Sequence, residues 1–151
     1  MTRLLSFVFL SIVVQLLLLN STNAVGQDIS KESLKWNIAL DIDLSADSTA
    51  SAYNSYFLTY GQDKIEWITK RTDKTGQVST TSNKLTITST SGSWKNIKED
   101  GSIQFDVSMN KSEGVFTAKR ASGVYTITVN LTGKTGGRLM KEFKISGVAK
   151  P

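Results

Sequence analysis

The chain predicts an all-β domain of about eight antiparallel strands in an up-and-down β-barrel, with a β-sandwich as the alternative. Three observations predict it. Apolar and polar residues alternate with period two along most of the chain after residue 33. Clusters of Gly, Asp, Asn and Ser interrupt that alternation at hairpin spacing. No segment carries a helical apolar stripe, and only Ser30 to Ser33 suggests a helical turn.

Leu34, Trp36, Ile38, Leu40, Ile42 and Leu44 fall on one face of a first strand, with Lys35, Asn37, Ala39, Asp41 and Asp43 opposite. A helix would scatter these six apolar residues around its circumference. Ser45 to Ser51 reads as a loop. Ala52 to Tyr60 puts Tyr56, Leu58 and Tyr60 on one face, and Gly61-Gln62-Asp63 turns the chain. Ile65, Trp67 and Thr69 share a face of the next strand. After a turn at Asp73 to Gly76, Gln77 to Asn83 suggests a short strand and Lys84 to Ser91 another. Glu99-Asp100-Gly101 is a hairpin turn of the Asp-Gly kind. Ile103 to Met109, Val115 to Lys119, Tyr125 to Leu131 and Leu139 to Ile145 complete the set, with turns at Asn110 to Gly114, Ala121 to Gly123 and Gly133 to Gly137.

Short connections make sequential strands antiparallel neighbours. A sheet of this size closes into a barrel or splits into a sandwich, because both protect its edges. Nearly every connection has hairpin length. A Greek-key sandwich needs a long crossover, and only Thr72 to Asn83 is long enough to offer one.

The first residues are read as a secretory leader, ending at 24 or alternatively at 26, with a single barrel domain over 25–151. Arg3 is followed by Leu4 to Leu19, apolar apart from Ser6, Ser11 and Gln15, and then by the polar stretch Asn20 to Ala24. The 16-residue run is short of the roughly 20 residues that span a bilayer. Thr22 and Ala24 suit the small-residue positions before a cut ahead of Val25; Ala24 and Gly26 suit a cut ahead of Gln27. The expected location is periplasmic, extracellular or on the cell surface, with no membrane span after cleavage.

Composition narrows the chemistry. With no Cys and no His, the sequence offers no thiol nucleophile, no Ser-His-Asp arrangement and few transition-metal ligands. No cofactor, metal or catalytic residue is expected. Asp41 and Asp43 sit two apart and Asp47 follows, but the spacing fails the EF-hand pattern; they read as a solvated outer face. The leader holds one of the 18 basic residues, leaving 17 against 13 acids, a net +4. Lys70-Arg71 and Lys119-Arg120 read as solvated strand faces, and nucleic acid is not an expected partner. The sequons at Asn110 and Asn130 matter only in a eukaryotic host.

In topology and size the chain resembles the lipocalin and avidin (calycin-type) class of small secreted β-barrels. Such barrels usually carry a Gly-x-Trp near the first strand. Here Trp36 stands there without the glycine, in Leu34-Lys35-Trp36, while Gly92-Ser93-Trp94 lies mid-chain. The stretch from Gly92 to Val107, GSWKNIKEDGSIQFDV, is similar to hairpins of lipocalin-like proteins exported by bacteria such as the Bacteroidetes. The resemblance implies a barrel able to hold a small apolar ligand at one end.

The expected function is therefore non-catalytic binding of a small apolar or amphipathic ligand. Tyr56, Tyr60 and Trp67 are the candidate ligand-binding residues, on two adjacent strands whose faces could converge. A surface interaction module (adhesin, inhibitor or accessory subunit) is the alternative, working with an unidentified protein partner; a carbohydrate-active enzyme ranks third. The ligand-binding barrel predicts an apolar cavity open at one end; the interaction module predicts a filled interior.

Overall fold

A computed structural model describes residues 28–151 apart from 52 and 53, so the expected leader and its cleavage site lie outside the described residues. The fold is an all-β antiparallel barrel of eight strands with one short extra strand. The strands are β1 (Ser33–Asp43), β2 (Ser48–Ser51), β3 (Tyr56–Tyr60), β4 (Lys64–Thr72), β5 (Val78–Ser93), β6 (Gly101–Met109), β7 (Ser112–Ala121), β8 (Val124–Gly133) and β9 (Arg138–Ala149). Each strand from β3 onward pairs with its successor, and β1 closes the ring by pairing with both β3 and β9. Every pairing is antiparallel, as the hairpin-length turns require.

At the strand ends, β3 starts at Tyr56, although the sequence predicts a strand from Ala52, and β7 starts at Ser112, inside the turn expected at Asn110 to Gly114. Three larger details also depart from the sequence expectation. Part of the expected loop at Ser45 to Ser51 is strand β2, formed when Asp43 caps the tight turn by accepting the amides of Ser45 (2.9 Å) and Ala46 (3.1 Å). The two short strands expected at Gln77 to Asn83 and Lys84 to Ser91 are one continuous strand, β5, because β4 and then β6 offer it partners along its whole length. Thr72 to Asn83 is therefore a hairpin and not a crossover.

The third departure is in β1. Ile38 pairs with Ile145 and Leu40 with Lys144, so Ala39 has no partner on β9 and forms a β-bulge. One inserted residue exchanges the two faces of everything beyond it. Asp41 therefore shares a face with the fully buried Phe143, its partner on β9. Leu40 and Leu44 turn outward and are 39% and 50% exposed. Of the carboxylates expected on a solvated outer face, Asp43 caps the turn and Asp47 stays exposed, but Asp41 points into one end of the barrel. There Lys141 donates to both oxygens of Asp41, at 2.7 and 2.9 Å.

The opposite end is closed. A 3-10 turn at Ile29–Lys31, next to the expected turn at Ser30 to Ser33, lies across it. The Ile29 amide donates to the Trp94 carbonyl at 2.9 Å. Trp36, Trp94 and Tyr125 pack beneath it with ring centroids 6.0 to 6.5 Å apart. Their polar atoms are satisfied: Trp36 Nε1 donates to Thr59 Oγ1, Trp94 Nε1 to the carbonyls of Asn96 and Glu99, and the Tyr125 hydroxyl to the Ile97 carbonyl. The middle of the barrel is filled by Phe57, which meets Phe116 and Phe143 edge-on at 5.2 and 5.0 Å. Ile65, Leu85, Ile103, Val107, Ile127, Val129 and Leu131 complete this core.

Candidate functional site

β1 is too long for either of its partners on one side. Its first part, Ser33 to Asn37, pairs with β3, and its last part, Leu40 to Asp43, pairs with β2. The edge of β1 is therefore shared between two short strands, and Ser55 lies where one gives way to the other. β4 outruns β3 in the same region. Its pairing with β3 ends at Ile68, while its pairing with β5 continues to Thr72. β2 pairs only with β1. Among the described residues, then, the barrel wall is open between β2 and the last four residues of β4. We call this opening the seam.

Ser55 forms its upper limit. Its carbonyl accepts the Ile38 amide at 2.9 Å, and its hydroxyl oxygen accepts the Lys70 amide at 3.3 Å. One buried serine thereby joins β1 to β4 where no strand lies between them.

Two depressions meet at this point. One, of about 90 Å³, lies at the barrel end and is lined by Ala50 of β2, Thr69 and Arg71 of β4, Trp67, Asp41 and Phe143. The other, of about 530 Å³, lies on the outer surface and includes Lys35, Asn37, Asn54, Tyr56 and Ser146. Ile38, Ser55 and Lys70 line both. The larger volume falls in the range of small-molecule sites, although it is open to solvent.

The three sequence-predicted residues divide across the wall. Trp67 pairs with Phe57, faces inward, and stacks edge-on against Phe143 at 5.2 Å. Tyr56 and Tyr60 face outward, because Phe57 and Thr59 between and beside them take the interior. Tyr56 lies on the outer side of the seam with the Lys35 ammonium 4.3 Å above its ring. Tyr60 is remote from the seam. Its hydroxyl donates to Glu66 at 3.2 Å, and Lys64 both pairs with Glu66 at 2.6 Å and covers the Tyr60 ring at 4.5 Å. The Lys64 hydrogen bond holds the Glu66 carboxyl below its ordinary value, while partial burial and the Glu66 charge push the Tyr60 phenol up. The structure thus brings Tyr56 and Trp67 to the two sides of one seam and leaves Tyr60 in a separate surface cluster.

Ile38, Ser55, Lys70 and Arg71 were not among the sequence candidates. Lys70-Arg71 is visible in the sequence as a basic pair, and both side chains are exposed as expected. Nothing in the alternation shows that β3 stops short of them. Chemically, the seam combines an apolar floor of Ile38, Trp67 and Phe143 with a cationic flank of Lys35, Lys70 and Arg71. Its one carboxylate, Asp41, is engaged by Lys141.

No protein-family model, curated protein or solved structure matches the chain.

Proposed function

We propose that the mature chain is an exported, non-catalytic binding protein that holds an anionic amphipathic ligand at the seam in its wall. Apolar and cationic groups brought together where the described strands leave the wall incomplete support this most directly. The filled interior, expected of a surface module and not of a barrel with a cavity, argues against binding along the axis. Side chains from Trp36 to Phe143 occupy the barrel axis, and the largest of them are less than 2% exposed. An apolar ligand entering the axis would have to displace them. At the seam, the half-buried Trp67 lies beside the exposed Lys70 and Arg71, with the buried Ile38 and Phe143 beneath it. A molecule with one apolar part and one acidic part is complementary to that surface. The absence of His and Cys, and a carboxylate already engaged at both oxygens, support a role without catalysis. Export rests on the order of charge, apolar run and small residues up to Ala24 or Gly26.

Tryptophan emission tests the proposal. Trp36 and Trp94 are 1% and 2% exposed and sit at the closed end, whereas Trp67 borders the seam. Decanoate should produce a saturable emission change, and decyltrimethylammonium should not. The change should disappear in the Lys70→Glu/Arg71→Glu protein. No saturable response to decanoate, or a response that survives charge reversal, would contradict the proposal.

A further inference from the structure

Resting on this reading of the seam, we propose that its natural occupant is an extended, acidic segment of another polypeptide, which adds to the free edge of β4 as a strand. The backbone carries the inference. The Lys70 amide points away from β5, since it donates to Ser55. In an antiparallel strand the N–H and C=O of one residue point to the same side, and alternate residues share that side. The Lys70 carbonyl and both polar groups of Thr72 therefore face the seam, where no described strand pairs with them. Among the described residues, β2, across the seam, pairs with β1 alone. Strand edges of this kind are templates for pairing with another chain.

Side chains define what kind of strand fits. Successive residues of an added strand would point alternately outward and inward. Outward ones would meet Lys70 and Lys35; inward ones would meet Trp67 and Ile38, with Thr69 and Arg71 on the same side. The pattern that fits alternates acidic with small apolar residues. A second copy of this chain is a poor occupant, because the flank is basic and the whole chain carries a net charge of +5. A small amphiphile would use the floor and the cations but leave the backbone groups of Lys70 and Thr72 unused. An extended peptide uses all three.

The test uses the mature chain and synthetic peptides of about six residues, enough to cover the free part of β4. An alternating Glu-Val peptide should bind, measured by calorimetry, and should slow hydrogen exchange at the Thr72 amide. N-methylation of the peptide amides that face β4 should weaken binding by about tenfold or more, since each removes a main-chain hydrogen bond. An alternating Lys-Val peptide should not bind. Equal binding of the N-methylated peptide would overturn strand addition. Failure of the Glu-Val peptide where decanoate still perturbs Trp67 would also overturn it, while leaving the seam as the binding surface. Failure of both ligands would overturn both proposals.

Discussion

Ser55 ties Lys70 to β1: its hydroxyl oxygen, 3.3 Å from the Lys70 amide, is the last described contact on the β3 side of β4 before the seam opens. The same residue accepts the Ile38 amide through its carbonyl. The two bonds differ in kind, and substitution separates them. Ser55→Ala keeps the carbonyl and removes the hydroxyl. It should cost about 1 kcal/mol in denaturant unfolding, the net worth of one hydrogen bond. Hydrogen exchange at the Lys70 amide should quicken, while the Ile38 amide stays protected.

The bulge at Ala39 makes a prediction opposite to that of simple alternation. Leu40 faces solvent and Ile38 faces the core, although the sequence puts both on one face. Leu40→Lys should change stability by no more than about 0.5 kcal/mol, as surface substitutions do. Ile38→Lys should prevent folding, since it buries an unpaired charge. A large loss from Leu40→Lys in thermal unfolding would mean that the strand is not bulged.

Much of this fold was legible in the sequence, because alternation and turn residues are local signals. Trp36, Phe105, Ile127 and Phe143 all lie in the core, where period two puts them. The bulge was not legible. Leu34 to Leu44 alternates without a break, and the phase is shifted by pairing with β9, about a hundred residues away, where Lys141 provides a partner for Asp41. The seam was hidden for a similar reason. It exists because β3 is shorter than β4, a relation between two strands that neither one announces. Tyr56 and Trp67 were found as aromatic residues on neighbouring strands, but which side of the wall each takes depends on where Phe57 and Thr59 point.

Asp41 and Lys141 should behave as a coupled pair. Their side chains are 23% and 18% exposed, so neither is fully solvated. Asp41→Asn and Lys141→Met should each destabilise the protein, and the double substitution should cost less than their sum by about 1 kcal/mol. A double-mutant cycle by urea denaturation measures the difference.

Gly114 should tolerate no side chain. It lies between Val107 and Leu131, and a Cβ there would press well inside contact distance of the Asn130 carbonyl, a backbone group that cannot move aside. Gly114→Ala should cost about 2 kcal/mol or more through overpacking, read as a lowered Tm.

Asp100 should contribute to stability at neutral pH and lose that contribution in acid. The Ser122 amide donates to its Oδ2 at 2.8 Å and Arg120 to its Oδ1 at 3.0 Å. The amide bonds from Ser122 and Gly123, aided by the Arg120 charge, hold the carboxyl below its ordinary value. A group whose pKa is lower in the folded state stabilises the fold above its unfolded pKa. That stabilisation fades as pH falls through the folded value. The Tm of Asp100→Asn should lie below that of the parent protein at pH 7, and the gap should close below about pH 4, the ordinary carboxylate range.

Binding through the seam, and not through the barrel axis, is tested most directly by the three indole N–H signals in a ¹⁵N NMR titration with the alternating Glu-Val peptide or with decanoate. Trp36 and Trp94 donate to fixed acceptors at the closed end, while Trp67 borders the seam. The Trp67 signal should shift with saturation, and the other two should stay in place. Movement of Trp36 or Trp94, or no movement of Trp67 with either ligand, would contradict it.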